Sequence, residues 1–170
     1  MSRYLIVVDM QKDFVDGALG TPEAIAILPR VKEKISEYRA SGGRVIYTRD
    51  THQPDYLSTN EGKHLPVLHC VEGTEGWQIY DGLADAGAYI VNKPTFGYLD
   101  WTEHIKDASD LSIELIGLCT DICVVSNALI LKATFPEAAV KVDSSACAGV
   151  TPASHEAALT TMRMCQVEVF

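Results

Sequence analysis

The chain has 170 residues, the length of one compact domain, and its 47% hydrophobic and 22% charged residues fit a chain with a sizeable core. That balance excludes a disordered tail, a coiled coil, a collagen-like repeat and a small disulfide scaffold. Lysine plus arginine number 14 against 23 acidic residues, a formal net charge of -9, and no basic run interrupts it, so nucleic acid is excluded as the expected partner.

Short apolar, β-branched runs predict six strands, over 3–8, 44–49, 88–92, 113–118, 139–142 and 166–170. Helical patterns separate most of them. Pro29 suits the first turn of a helix reaching Ala40, with Val31, Ile35 and Tyr38 as its apolar stripe and Gly42-Gly43 as its stop. Asp100-Trp101-Thr102-Glu103 has the form of a capping box, and Thr151-Pro152 opens a helix to Met164. Strand–helix alternation with apolar strands implies a parallel sheet covered on both faces, whose ligands bind beyond the carboxyl ends of the strands.

The stretch from Asp50 to Gly76 is too long for an ordinary connection and reads as a functional loop. Neither a dinucleotide fingerprint nor a phosphate-binding loop is present. No run approaches the roughly 20 apolar residues of a membrane span. The nearest, from Ile122 to Leu131, is broken by Ser126 and Asn127. With no signal peptide in view, the expected location is the cytoplasm. Cysteines 70, 119, 123, 147 and 165 are there expected as thiols.

Three chemistry-bearing residues stand at strand ends. Asp9 follows the first strand; from position alone it is a site carboxylate or a turn aspartate. Lys93 follows the third and is either a solvated loop lysine or the cation that holds Asp9 charged. Cys123 sits in the first turn of the helix after the fourth. There the helix terminus would lower its pKa and offer N–H groups to an oxyanion; the alternative is a buried core cysteine. Together they suit hydrolysis at a carbonyl: the thiolate attacks, the carboxylate carries the proton, and backbone amides hold the oxyanion. In the long loop, Asp50 and His52 can turn to one point and His69 can complete a two-histidine, one-carboxylate metal site; a loop hydrogen-bond network is the alternative. His64 reads as a surface residue, His104 and His155 as structural, and Cys70 as packing.

The ordered set Ile6-Val7-Val8-Asp9-Met10-Gln11-Lys12-Asp13-Phe14, Thr48-Arg49-Asp50-Thr51-His52, His69-Cys70-Val71-Glu72-Gly73-Thr74-Glu75-Gly76, Lys93 and Gly117-Leu118-Cys119-Thr120-Asp121-Ile122-Cys123-Val124 resembles the isochorismatase-like cysteine hydrolases, and among them the nicotinamidases. The resemblance implies a single domain over residues 1–170 with a doubly wound three-layer α/β/α fold and a six-stranded, mostly parallel sheet. It also implies an Asp9–Lys93–Cys123 catalytic set, a cis Leu118–Cys119 peptide bond and an oxyanion hole at the N–H groups of Cys119 and Cys123. Phe14 matches a position that packs on the substrate. Asp50, His52 and His69 match ligands of a divalent metal, zinc, iron or manganese. Nicotinamidases usually place another histidine shortly after the one matching His52; here Tyr56 or Ser58 stands there. The implied activity is amidohydrolysis of a small amide, above all nicotinamide, in a homo-oligomer with no membrane partner. The alternatives are an N-carbamoyl or ureido amidohydrolase, and a non-catalytic or redox protein using Cys119 and Cys123.

Overall fold

The computed structural model describes residues 2–106 and 109–170. Its six strands are β1 (Ser2–Val8), β2 (Arg44–Asp50), β3 (Tyr89–Lys93), β4 (Leu111–Leu118), β5 (Ala139–Ala148) and β6 (Glu168–Val169). They form one sheet in the order β3-β2-β1-β4-β5-β6, every pair parallel. The helices are α1 (Lys12–Val15), α2 (Pro22–Ala26), α3 (Leu28–Ala40), α4 (Asn60–His64), α5 (Val125–Thr134) and α6 (Pro152–Met164). Among the described residues, no helix is long and apolar enough to cross a membrane.

Side-chain alternation builds two cores from one sheet. Tyr4, Ile6 and Val8 of β1 join Ile113, Leu115, Val124, Ala128 and Leu131 on one face. Leu5 and Val7 join Val31, Ile35 and Tyr38 of α3 on the other. Each face therefore needs its own helical layer, which is why the strands are apolar throughout. Chain order reverses between β1 and β4, so the connections leave in opposite directions there and open a crevice at the carboxyl ends. Gly117 makes the seam close. A Cβ there would lie 2.2 Å from the Val8 carbonyl oxygen, and its φ of +118 is left to glycine.

Helices α3 and α6 run as the periodicity predicts. Thr151 caps α6 by accepting from Ser154 N–H at 3.1 Å. Three expectations need correction. The Asp100 segment forms only a 3-10 turn over Trp101–Glu103 with no side-chain cap, because the fully buried Trp101 anchors it rather than an amphipathic face. The last strand shrinks to Glu168–Val169. Strand β5 extends six residues past Val142 to Ala148, because its polar Asp143 is buried under α3 with partners of its own. Arg30 Nη2 reaches Asp143 Oδ2 at 2.9 Å, Lys34 Nζ reaches it at 3.3 Å, and Ser145 donates to Oδ1 at 2.6 Å.

Burial works to raise the Asp143 carboxyl, but the bonds from Ser145 and Arg30 and the Lys34 charge outweigh it and hold it below its ordinary 3.8. The carboxylate's stabilising contribution is thus present above pH 3.8 and lost as pH falls through the lower folded-state value. Asp143→Asn should unfold about 1–3 kcal/mol more easily near neutrality. In denaturant titrations that gap should close as pH falls below 3.8; a gap constant with pH would contradict the assignment.

Candidate active site

Strands β1, β2, β3 and β4 each deliver one part of the site to the same edge. Asp9 leaves β1 with a φ of 47°, and its carboxylate turns back into the protein, fully buried. Thr48 of β2 donates to Asp9 Oδ1 at 2.6 Å and accepts from Asp9 N–H at 3.1 Å. Lys93 is the last residue of β3, and its side chain is wholly buried. Its Nζ lies 2.6 Å from Asp9 Oδ2, 3.5 Å from Cys123 Sγ, 3.7 Å from Asp50 Oδ1 and 3.2 Å from the Thr95 carbonyl oxygen. The sequence-derived trio is therefore brought together, and Lys93 is no solvated loop lysine.

After β4 the Leu118–Cys119 peptide bond is cis, and Thr120–Val124 forms a wide π-type turn that leads into α5. Cys123 sits in that turn only 5% exposed, yet it lines a pocket of about 160 Å³ and is thus reachable. Its environment corrects the expectation of a lowered thiol pKa. Burial pushes the Cys123 thiol up, and the Asp9 carboxylate pushes further, against the pull of Lys93. Burial also raises the Asp9 carboxyl, with Lys93 opposing. Burial works against the Lys93 charge, but Asp9, Cys123 and Asp50 outweigh it and hold the ammonium above its ordinary range. Burial thus opposes charge on both the thiol and the Asp9 carboxyl, while the surrounding groups favour the Lys93 cation.

The long loop carries the second half of the site. Gln11 fixes Asp50 from below: its Oε1 accepts from Asp50 N–H at 2.8 Å and its Nε2 donates to the Asp50 carbonyl at 2.9 Å. Asp13 accepts from Cys70 N–H at 2.8 Å, which pins the segment bearing His69. His52 and His69 stack edge to face with centroids 4.9 Å apart, and Tyr56 packs against both. The loop is thus partly helical, with a 3-10 turn at Tyr56–Ser58 and α4.

Asp50, His52, Glu61 and His69 bring one ligand atom each within 4.8 Å of one another. Glu61, on α4, is the group not legible in the sequence: it joins Asp50, His52 and His69 as a fourth donor, while Tyr56 and Ser58 hold the place of the further histidine. His69 Nδ1 faces the Val67 carbonyl at 2.7 Å, which leaves Nε2 toward the cluster. Among the described residues Asp50 Oδ1 has no hydrogen-bond donor, and burial together with Asp50 raises the Glu61 carboxyl. Two imidazoles, the buried Asp50 carboxylate and the half-buried Glu61 carboxylate are the donor set of a zinc, iron or manganese ion, and their crowded negative charge fits a dication.

Phe14 lines the pocket beside His69, with ring centroids 5.5 Å apart. Leu19, Leu65, Phe96, Ile122 and Val150 complete its apolar wall. Cys119 borders it as well, its thiol pushed up to about 12 by burial. The remaining histidines are structural or at the surface: His104 bonds Tyr89 and Tyr98, His155 bonds Thr120, and His64 is exposed. A larger cleft of about 650 Å³, lined by Tyr4, Arg44, Tyr89 and His104, opens at the amino ends of the strands, away from Asp9, Lys93, Cys123 and the metal-type cluster.

The profile described as the Isochorismatase domain matches residues 3–170. A nicotinamidase/pyrazinamidase of Mycobacterium tuberculosis is 30% identical, over 98% of this chain and 97% of its own. The crystal structure of a pyrazinamidase of Pyrococcus horikoshii in complex with zinc is similar with a TM-score of 0.87 and 28% identity, covering 100% of this chain and 99% of the other. An N-carbamoylsarcosine amidase from Thermoplasma acidophilum gives a TM-score of 0.81 at 28% identity, covering 99% of this chain and 95% of the other. Sequence, fold and site agree: the chain belongs to the isochorismatase family.

Proposed function

We propose that the protein is a cysteine-dependent amidohydrolase of small neutral aromatic carboxamides, with nicotinamide as the leading substrate. The observation that carries this reading is the buried Asp9–Lys93–Cys123 cluster, whose cysteine lines an apolar pocket bordered by a metal-type donor set. The nicotinamidase and pyrazinamidase relatives support it.

Attack begins when Asp9 takes the thiol proton as Cys123 Sγ bonds to the amide carbonyl carbon. The raised carboxyl pKa makes Asp9 a stronger base than a surface aspartate. The N–H groups of Cys119 and Cys123 receive the oxyanion. Asp9 then gives its proton to the leaving nitrogen, the C–N bond breaks, and ammonia departs from a thioester. Water attacks the thioester as Asp9 accepts its proton; the C–S bond breaks, the acid leaves, and the proton returns to sulfur. Lys93 keeps Asp9 ionised between steps and aims it. Asp50, His52, Glu61 and His69 would hold the metal, which supplies Lewis-acid binding of a ring nitrogen or of water. Phe14 packs on the substrate ring.

Pocket chemistry separates the candidate substrates. Among the described residues that line it there is no lysine or arginine, and Asp50 and Glu61 border it. An N-carbamoyl amino acid carries a carboxylate that would find no partner there, whereas an uncharged ring loses nothing. A redox pair of Cys119 and Cys123 is disfavoured as well, because burial raises both thiols and exchange needs a thiolate. Five unpaired cysteines accord with a reducing, cytoplasmic setting.

Ammonia release from nicotinamide, pyrazinamide and N-carbamoyl amino acids tests the reading. Turnover of the two rings, abolished in Cys123→Ala, is the expected result; turnover unchanged in that variant would end it. Lys93→Met should lose at least about a thousandfold in kcat/KM and destabilise the fold by about 3–5 kcal/mol, since it leaves Asp9 buried without its cation. Kinetics together with thermal melts check both effects. Metal analysis after loading with zinc should find about one equivalent in the wild type. Glu61→Ala should bind at least tenfold more weakly; equal affinity would remove Glu61 from the donor set.

A further inference from the structure

Asn127 lies one helical turn beyond Cys123, fully buried. Its amide has two donors and two acceptor lone pairs, and all are used. Nδ2 donates to the Cys123 carbonyl at 2.8 Å and to the Phe96 carbonyl at 3.1 Å. Oδ1 accepts from Tyr98 N–H at 2.9 Å and from Trp101 Nε1 at 3.2 Å. Three of these four bonds thus reach across to the segment that follows Lys93.

That segment shapes the pocket. Phe96 lines it with a side chain 44% exposed, so packing alone does not fix the ring. Among the described residues, Asn127 is the only group outside the segment that hydrogen-bonds the backbone of Phe96 or Tyr98. Gly97, between them, sits so close to α5 that a Cβ would lie 2.4 Å from Ile130 Cδ1. The segment therefore lies flat on the helix that starts at the nucleophile, and one amide joins the two.

We propose that Asn127 is a positioning residue that sets the gap between the Cys123 sulfur and the Phe96 ring. Phe96 is then the residue that selects flat aromatic substrates over aliphatic ones of similar size. The proposal rests on the aromatic amidase reading given above, and it names the residues that confer the ring preference.

The test separates the two ideas by reading the gap without turnover. Cys123 is alkylated with iodoacetamide and with N-benzyliodoacetamide, and both rates are followed at its own peptide by mass spectrometry, because Cys165 is also exposed. Wild type should favour the aromatic reagent. Phe96→Ala should lower the ratio of the two rates by about three- to tenfold, the range of a lost aromatic contact. Asn127→Ala should lower it similarly, and the double variant no further, because both act through one ring. Asn127→Thr guards against a fold too weak to measure: its hydroxyl can still bond the Cys123 carbonyl four residues back but cannot reach the Phe96 segment. It should behave like Asn127→Ala.

An unchanged ratio in Phe96→Ala or in Asn127→Thr would overturn the proposal. So would effects that multiply in the double variant. KM for nicotinamide should rise in step with the fall in the ratio, while kcat changes less. If nicotinamide is not turned over at all but the alkylation ratios behave as stated, the substrate reading fails and the positioning role stands.

Discussion

A single buried ammonium holds the site together. Lys93 Nζ stands between the carboxylates of Asp9 and Asp50 and beside the Cys123 sulfur, with no side-chain exposure. Without it, two carboxylates would share a dry space beside the Cys123 sulfur, and mutual repulsion would protonate the acids. With it, a cation opposes the rise that burial imposes on the Asp9 carboxyl. The cost of desolvating such a pair is several kcal/mol per ion, so its retention in the interior is explained by chemistry rather than by stability.

Sheet order turns that electrostatic requirement into a fold. Asp9, Asp50, Lys93 and the turn before Cys123 come from β1, β2, β3 and β4, which are neighbours in the sheet although the last is far along the chain. Parallel pairing points all four carboxyl ends the same way, and the reversal between β1 and β4 clears a crevice above them. Loops and short helices then furnish the pocket: Phe14 from α1, Glu61 from α4, Phe96 from the segment after β3 and Val150 from the connection after β5. The strand ends carry the buried trio and the connections carry the pocket wall.

Much of this was legible in the residues. Asp9, Lys93 and Cys123 could be found because each closes or follows a strand, and strand ends of a parallel sheet converge. Phe14, Asp50, His52 and His69 were legible through the ordered motifs that resemble the family. Glu61 was not, because its approach to His52 depends on the path of the loop and a single helical turn, which no periodicity records. Asn127 was visible only as a polar break in an apolar run; its meaning lies in partners some thirty residues earlier in the chain. The thiol's pKa was misjudged because the helix-terminus argument is local, whereas burial is set by the whole fold.

The seam at Gly117 decides where the protein can change. Any side chain at Gly117, directly before the cis Leu118–Cys119 bond, collides with the carbonyl oxygen of Val8, the residue before Asp9. A substitution at that point would pry the two halves of the sheet apart beneath the nucleophile. Leu65, Phe96 and Val150, by contrast, hang from connections and are partly open to solvent. Substitutions at those rim residues therefore alter the pocket while leaving the seam beneath it in place.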